Sequence, residues 1–487
     1  MATRNGSLWK SVDWVTIVIC LLMMAFGWLS ICGASYDYST TSFLSFSSRA
    51  GKQLVWIGCA LLVGIVLLNI GKKYYQLYAY ILYCAVIALL VVTIFIAPDT
   101  KGSHSWLVLG PVKVQPAEFA KFATALALAR QVGRYGFTFR RRADMVKALA
   151  IVVLPMLLIV AQAETGSALV FLAFFLVLYR EGMTGSFLLI GLCAIVFFVV
   201  GISQGGHFLP HIPTDVGLFI VMALIPVVTA IMLRVYAHDS RRALIVIAVS
   251  VPVTIAALLA SRYFIPFNVG WVQIGLCGLI AVWLLLSYLP SRRPVYLFIA
   301  LFAVGSVGYY YSTDYVFNHV LKDYQQQRIR VVLGMEEDIK HVGYNVHQAK
   351  IAIGSGGLRG KGFLNGTQTK LSYVPEQETD FIFCTIGEEQ GFIGAVGVLL
   401  LFGALILRLL VLAERQGLGR FGRAYGYSVV CILTFHLIIN IGMVLGLMPV
   451  IGIPLPFFSY GGSSLWGFTL LLFIFLGIDA GRVRYQR

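Results

Sequence analysis

The chain has 487 residues, of which 59% are hydrophobic and 12% are charged, whereas a soluble domain is about 45–50% apolar and about 25% charged. This composition excludes a water-soluble enzyme. Lysine and arginine outnumber aspartate and glutamate by 37 to 21, a net charge of +16, which in a soluble protein would suggest binding to nucleic acid.

Apolar runs long enough to cross a bilayer, at about 20 residues each, predict an all-α, polytopic integral membrane protein with about fourteen transmembrane helices. Seven spans precede residue 204, four follow it, and three close the chain. We predict them near residues 14–34, 54–70, 76–97, 115–132, 148–163, 167–180, 186–203, 217–234, 243–261, 269–289, 295–312, 388–412, 425–447 and 464–480.

Basic residues fall in loops on one side of these spans if the N-terminus is cytoplasmic. They cluster at 72–73, 130–147, 234–242, 292–293, 408–423 and 482–487. This asymmetry is the positive-inside rule, so the positive charge needs no nucleic acid to explain it. Eleven predicted spans precede residue 313, and because this number is odd, a cytoplasmic N-terminus places residues 313–387 on the outer face of the membrane.

The fourth predicted span begins with Gln115-Pro-Ala-Glu-Phe-Ala-Lys121 and carries two opposite charges. Charged residues within a membrane are costly and tend to be functional. The i, i+3 spacing puts Glu118 and Lys121 on one helix face, where they can form an ion pair. Two roles stay open, a structural ion pair and a pair that lines a substrate site. Glu164, at a short outer turn, is more typical of a structural residue.

Residues 313–387 form one long loop without a spanning run, and such loops are usually functional. The mixed charges of this loop fit either a solvated surface or a site for an anionic ligand. Within it, Gly354-Ser-Gly-Gly-Leu-Arg-Gly-Lys-Gly362 is rich in glycine, which lets backbone N–H groups approach a phosphate. Ser355 and Gly362 do not fit a Walker A loop. A hinge between short helices and a phosphate contact, in which Lys361 would take part, both remain open.

Further motifs follow one another along the C-terminal half of the chain. They are Leu321-Lys-Asp-Tyr-Gln-Gln-Gln-Arg-Ile329, Gly343-Tyr-Asn-Val-His-Gln348, Gly366-Thr-Gln368, Val374-Pro-Glu376, Thr379-Asp-Phe-Ile-Phe383, Glu388-Glu-Gln-Gly391 and Pro454-Leu-Pro-Phe-Phe-Ser-Tyr-Gly-Gly-Ser-Ser464. In this order they resemble the SEDS family of bacterial cell-wall polymerases. The resemblance covers residues 1–203 and 295–487, and Gly366-Thr-Gln368 resembles the elongation branch of the family more than the division branch.

The resemblance implies a peptidoglycan glycosyltransferase in the bacterial cytoplasmic membrane. Such an enzyme polymerises lipid II on the outer face, releases undecaprenyl pyrophosphate and acts with a class B penicillin-binding protein. The resemblance also implies three parts: N-terminal membrane helices at 1–203, inserted helices at 204–294, and a C-terminal region at 295–487 with the catalytic loop 313–387. Nothing in the sequence assigns a role to the insertion.

The resemblance also implies the site residues. Counting back from Gly343 places the catalytic aspartate of the family on Asp338, although Ile339 stands where the family has proline. Asp338 would be the general base that takes the proton of the acceptor sugar's hydroxyl, with Glu336 and Glu337 as neighbouring alternatives. The expected substrate-binding residues are Glu118, Lys121, Arg328, Gln348, Lys350 and Lys361, whose cations suit a pyrophosphate. A divalent cation, Mg²⁺ or Mn²⁺, could share that role, but the sequence shows no dedicated metal ligands.

Three other functions remain open. A lipid II flippase would place polar residues along a continuous path through the helices, whereas the long outer loop favours a polymerase. A division-specific polymerase would share most of the motifs. A scaffold without chemistry would tolerate any substitution near Asp338.

Overall fold

The computed structural model describes residues 11–35, 48–99, 102–110, 112–321, 323–335, 343–371 and 373–486. Almost all regular structure in this part of the chain is helical. Twelve of the helices are long and apolar enough to cross a membrane, which confirms the all-α, polytopic membrane fold. Each of the twelve coincides with a predicted span.

The helices are named here in chain order. The first group is α1 Trp14–Ala34, α2 Arg49–Asn69, α3 Lys72–Ile96, α4 Pro116–Val132, α5 Arg142–Ala161, α6 Thr165–Val170 and α7 Ala173–Arg180. The second group is α8 Ser186–Ser203, α9 Val216–Val235, α10 Ser240–Tyr263, α11 Val269–Ser291, α12 Pro294–Tyr315 and α13 Asp323–Val332. The last group is α14 Tyr344–Ser355, α15 Thr367–Lys370, α16 Ile382–Glu414, α17 Arg420–Val444 and α18 Gly462–Gln486.

Two of the fourteen predicted spans are shorter than a full crossing. Helix α4 has 17 residues, and the other span is divided between α6 and α7. Nearly every residue of α4 is buried, because it packs against α3, α5, α17 and α18. Alanines recur along α4 and permit close helix packing of the kind that small residues provide in membranes. Helix α4 is therefore the central helix around which this part of the fold is built.

A short antiparallel hairpin joins α3 to α4. Its strands are β1 Leu107–Leu109 and β2 Val112–Val114, and Leu107 pairs with Val114. The hairpin ends at Gln115, which directly precedes α4, and Pro116 occupies the first turn of that helix. Proline is tolerated there because the first helical N–H groups have no intrahelical partner.

The chain divides into two compact units. One contains residues 1–183 and 339–487, and the other contains residues 184–338. The second unit has its own apolar core, to which helices α8 to α12 contribute buried residues such as Phe197, Met222, Val246, Ile280 and Ile299.

The predicted outer loop is partly helical. A π-helical segment, Val316–Val320, continues α12, and α13, α14 and α15 follow. Residues 336–342, which include Asp338, Glu336 and Glu337, lie outside the described part of the chain.

Candidate active site

A buried polar cluster surrounds the predicted ion pair of α4. The Lys121 ammonium lies 2.8 Å from both carboxylate oxygens of Glu118, and both residues are 2% exposed. The i, i+3 pair predicted from the sequence is thus present. A buried ion pair of this kind is strongly coupled, because removing either partner leaves an uncompensated charge.

A histidine of α17 completes the cluster. His436 Nε2 lies 3.0 Å from the Lys121 ammonium, and its Nδ1 lies 3.0 Å from the Pro454 carbonyl oxygen. An ammonium can only donate, so Nε2 must be the acceptor and Nδ1 must carry the proton that is donated to Pro454. The ring of Phe468, whose centroid is 4.7 Å from the ammonium, closes another side by a cation–π contact.

Glu164 belongs to a second polar group, at the turn between α5 and α6. Its Oε1 accepts hydrogen bonds from the side-chain amide of Gln115 and from the Ser167 hydroxyl at 2.7 Å. Burial raises the pKa of the Glu164 carboxyl above its ordinary value. Glu164 therefore ties the residue before α4 to the start of α6, which agrees with the structural role expected for it.

The glycine-rich segment 354–362 lies against a kink in α16. Gly391, with φ 67° and ψ −161°, breaks the helical geometry of α16. The backbone N–H of Lys361 donates to the Glu388 carbonyl at 3.0 Å, and that of Gly362 donates to the Glu389 carbonyl at 2.8 Å. These N–H groups therefore satisfy carbonyls at the kink, which favours the packing interpretation of this segment over a phosphate cradle.

Close approach explains two of these glycines. A Cβ on Gly360, whose φ is 78°, would lie 2.1 Å from the Glu389 carbonyl oxygen, and a Cβ on Gly391 would lie 2.3 Å from the Gly360 nitrogen. Contacts this short leave no room for any side chain. The backbone geometry at both positions is also one that L-residues rarely adopt.

Lys361 is held by a buried carboxylate. Its ammonium lies 2.7 Å from Glu388 Oε1 and 2.7 Å from the Thr367 hydroxyl. Glu388, which is fully buried, also accepts the backbone N–H groups of Gln368 and Thr369, each at 2.9 Å. One carboxylate thus joins the glycine-rich segment, α15 and the start of α16.

The other expected substrate-binding residues are distributed along the loop helices. Lys350 is exposed on α14, and its ammonium lies beside Gly446, where an added Cβ would be 2.6 Å away. Gln348 is partly buried on the same helix, and Arg328 is partly buried on α13. Within the described residues, Lys350 and Lys361 thus differ, since only Lys361 forms an ion pair.

Sequence reasoning missed His436 and the anchoring role of Glu388. A signal existed for each, since an ionisable side chain within an apolar span is costly and demands a partner. What the sequence could not show was the partner, because His436 and Lys121 are 315 positions apart in the chain. Groups of three or more His, Cys, Asp or Glu side chains arranged to hold a metal ion are absent from the described residues, and the divalent cation stays a prediction.

Comparison with known proteins identifies relatives over most of the chain. Residues 13–208 and 268–483 match the family model of the FtsW, RodA and SpoVE cell cycle proteins. Peptidoglycan glycosyltransferase RodA of Treponema pallidum is 30% identical over 433 residues, 88% of this chain and 89% of that protein. Peptidoglycan glycosyltransferase MrdB of Escherichia coli K12 is 30% identical over 85% of this chain and 81% of its own length.

Solved structures share the fold. The rod shape determining protein RodA of Thermus thermophilus superposes with a TM-score of 0.55 at 22% identity, over 98% of this chain and 99% of that one. A chain from a study of polymerization and crosslinking by a peptidoglycan synthase complex gives a TM-score of 0.58 at 23% identity, with the same coverage. At these identities the likeness concerns the fold.

Proposed function

Because the chain belongs to the FtsW/RodA/SpoVE family of cell cycle proteins, we propose that it is a peptidoglycan glycosyltransferase that polymerises lipid II into glycan strands during cell elongation. The observation that carries this proposal is its 30% identity with two peptidoglycan glycosyltransferases, RodA and MrdB, over more than four fifths of the chain. The described helices support it, because twelve of them suit an integral membrane enzyme that acts on a lipid-linked substrate.

The reaction needs one base and a set of cations. The 4-hydroxyl of the acceptor sugar loses a proton as it attacks C1 of the donor, and the bond from C1 to undecaprenyl pyrophosphate breaks. We propose that Asp338, the carboxylate at the position of the family's catalytic aspartate, accepts this proton. Positive groups near the leaving pyrophosphate stabilise the charge that develops there.

The cations proposed for the pyrophosphate are Arg328, Lys350 and Lys361. Lys350 is exposed and forms no ion pair with a described residue, so its ammonium is available to an anion. Lys361 would act differently, because Glu388 and Thr367 fix its position and the Glu388 carboxylate neutralises part of its charge. Gln348, on α14 with Lys350, would donate hydrogen bonds to the sugar or the phosphate.

Glu118 and Lys121 have a less direct role in this proposal. In this conformation Glu118, His436 and Phe468 enclose the Lys121 ammonium, so a bound lipid would not touch it. We propose that the pair supports the loop 450–461 through the hydrogen bond between His436 and Pro454, and that it meets substrate only if this loop moves.

Location and partner are part of the same proposal. We propose that the chain lies in the cytoplasmic membrane with residues 313–387 on the outer face, where the polymer would be assembled, and the distribution of basic loops supports this orientation. Strand crosslinking would be supplied by a class B penicillin-binding protein bound beside it. The solved relative from a peptidoglycan synthase complex supports a partnered enzyme of this type.

Substitution of the proposed base tests the function. We expect Asp338→Ala to abolish glycan formation from lipid II by the purified protein, while the protein still inserts and folds, because a loop carboxylate contributes little to helix packing. Glu336→Ala and Glu337→Ala are the matched controls and should keep most activity. Activity near wild type in Asp338→Ala, together with its loss in either control, would move the base to that neighbour. Transfer of lipid II across vesicles without any polymer would replace the polymerase with a flippase.

A further inference from the structure

Two basic pockets lie side by side at one end of the first unit, where α3, α4 and α5 meet the loop 133–137. One has a volume of about 730 Å³ and is lined by Arg130, Arg134 and Lys147, and the other, of about 590 Å³, is lined by Lys72 and Arg420. Residues 133–135 form a wall common to both pockets.

The cations of the larger pocket have no anionic partner among the residues that the structure describes. Arg130, Arg134 and Lys147 form no ion pair with any residue that the structure describes. Six basic residues occupy positions 130–147, against one acidic residue, Asp144, which is buried. Like charges gathered this closely repel one another, and an anion bound between them would relieve that repulsion.

A buried amide in the same pocket points to a ligand. Gln131, which is 5% exposed, lines the larger pocket. Its Oε1 accepts the Tyr80 hydroxyl at 3.0 Å, but its Nε2 has no hydrogen-bond partner within the described part of the chain. Buried amide donors are almost always satisfied, so this one indicates a missing acceptor near the pocket.

The surroundings suit a lipid rather than a soluble anion. Tyr135 and Leu418 beside the pockets are fully exposed, at 103% and 101%. The helices that border the pockets expose further apolar side chains, among them Leu77 and Ile81 on α3 and Leu154 on α5. An aromatic ring and basic groups at the ends of membrane helices are typical of the bilayer interface.

We propose that the paired basic pockets bind an anionic phospholipid whose headgroup carries two phosphates, one in each pocket. Two cation clusters with a common wall fit two linked phosphates better than a single one, and the apolar faces of α3 and α5 would hold the acyl chains. Basic pockets between membrane helices are known to bind such headgroups. The assignment of these pockets to the cytoplasmic leaflet rests on the orientation proposed above, whereas the binding itself does not.

The test measures cardiolipin binding to the full-length, detergent-solubilised protein by native mass spectrometry. Arg134→Gln with Lys147→Gln removes two pocket charges, and it should weaken cardiolipin binding about 30-fold, from about a fivefold change for each residue. Arg140→Gln with Arg141→Gln is the matched control, since it removes two exposed charges from the same segment that line neither pocket. It should change binding less than threefold. Arg130→Gln provides a second, single-charge variant.

Three results would overturn the proposal. Equal losses of cardiolipin affinity in the pocket variant and in the control variant would mean that the lipid is attracted non-specifically to a basic surface. Phosphatidylglycerol binding as tightly as cardiolipin would exclude a two-phosphate site. Displacement of cardiolipin by inorganic pyrophosphate at micromolar concentration would indicate a soluble anion. Asp338→Ala should bind cardiolipin as the wild type does. Failure of the lipid-binding proposal would therefore leave the proposed catalytic function untouched.

Discussion

Replacement of Lys121 by methionine is the most direct test of the buried cluster. Methionine has nearly the length of the lysine side chain but no charge, so it leaves Glu118 buried without a cation and His436 Nε2 without a donor. Loss of one member of a buried ion pair costs about 3–5 kcal/mol. The lost contact with the Phe468 ring adds to this cost.

We therefore expect Lys121→Met to lower the free energy of unfolding by about 4 kcal/mol. The double variant Glu118→Gln with Lys121→Met removes both charges, and it should recover about 2–3 kcal/mol of that loss, because residues in direct contact are coupled. Reversing the pair would not help, since a carboxylate at position 121 would face the acceptor nitrogen of His436. The structure thus predicts that neutralisation rescues the fold and that charge reversal does not.

SDS titration of the purified protein measures these differences, and glycan formation from lipid II is measured in parallel. Lys73→Met is the matched control, because Lys73 is exposed, and a surface change of this type should alter stability by less than about 0.5 kcal/mol. An Lys121→Met variant as stable as this control would refute the argument from burial. Full activity in the neutralised double variant would show that the charges of the pair serve only the fold.

Two further predictions concern the glycine-rich segment and the topology. Gly360→Ala should cost about 3 kcal/mol of stability, from left-handed backbone strain and from the clash with the Glu389 carbonyl. Gly354→Ala, at an exposed helical position with no neighbour within 4 Å, should instead be neutral or stabilising in the same titration, and equal effects would contradict the packing found at the kink. A reporter fused near Gly366 should be periplasmic and one near Arg420 cytoplasmic, and the reverse at either point would contradict the charge-based orientation.

The membrane helices were predictable because their signal is local. A run of about 20 apolar residues specifies a span whatever surrounds it, and every predicted span has a helix in the structure. The two short ones, α4 and the pair α6 and α7, also lie within about two residues of their predicted bounds. Helix α4 is buried on all sides, so its length is set by its protein neighbours instead of by the thickness of a bilayer.

The candidate site was predictable only in part, because its partners are distant in sequence. The spacing of Glu118 and Lys121 was sufficient to predict their ion pair. His436 reaches Lys121 only through the packing of α17 on α4. The glycines near 360 left both a hinge and a phosphate contact open, because backbone freedom serves a ligand and a close helix contact equally well. Only the position of the kink at Gly391 distinguishes a close helix contact from a phosphate contact.

The helices that fall outside the family match are part of the core of the second unit. The match stops at residue 208 and resumes at 268, which leaves α9 and α10 unmatched, while the predicted insertion at 204–294 stays a prediction. Buried residues of these two helices, such as Met222 and Val246, belong to the same apolar cluster as Phe197, Ile280 and Ile299 of the matched helices. The apolar faces of these helices cover one another. Removing α9 and α10 would therefore expose the apolar faces of the helices that remain. The additional helices are therefore a structural component of this unit.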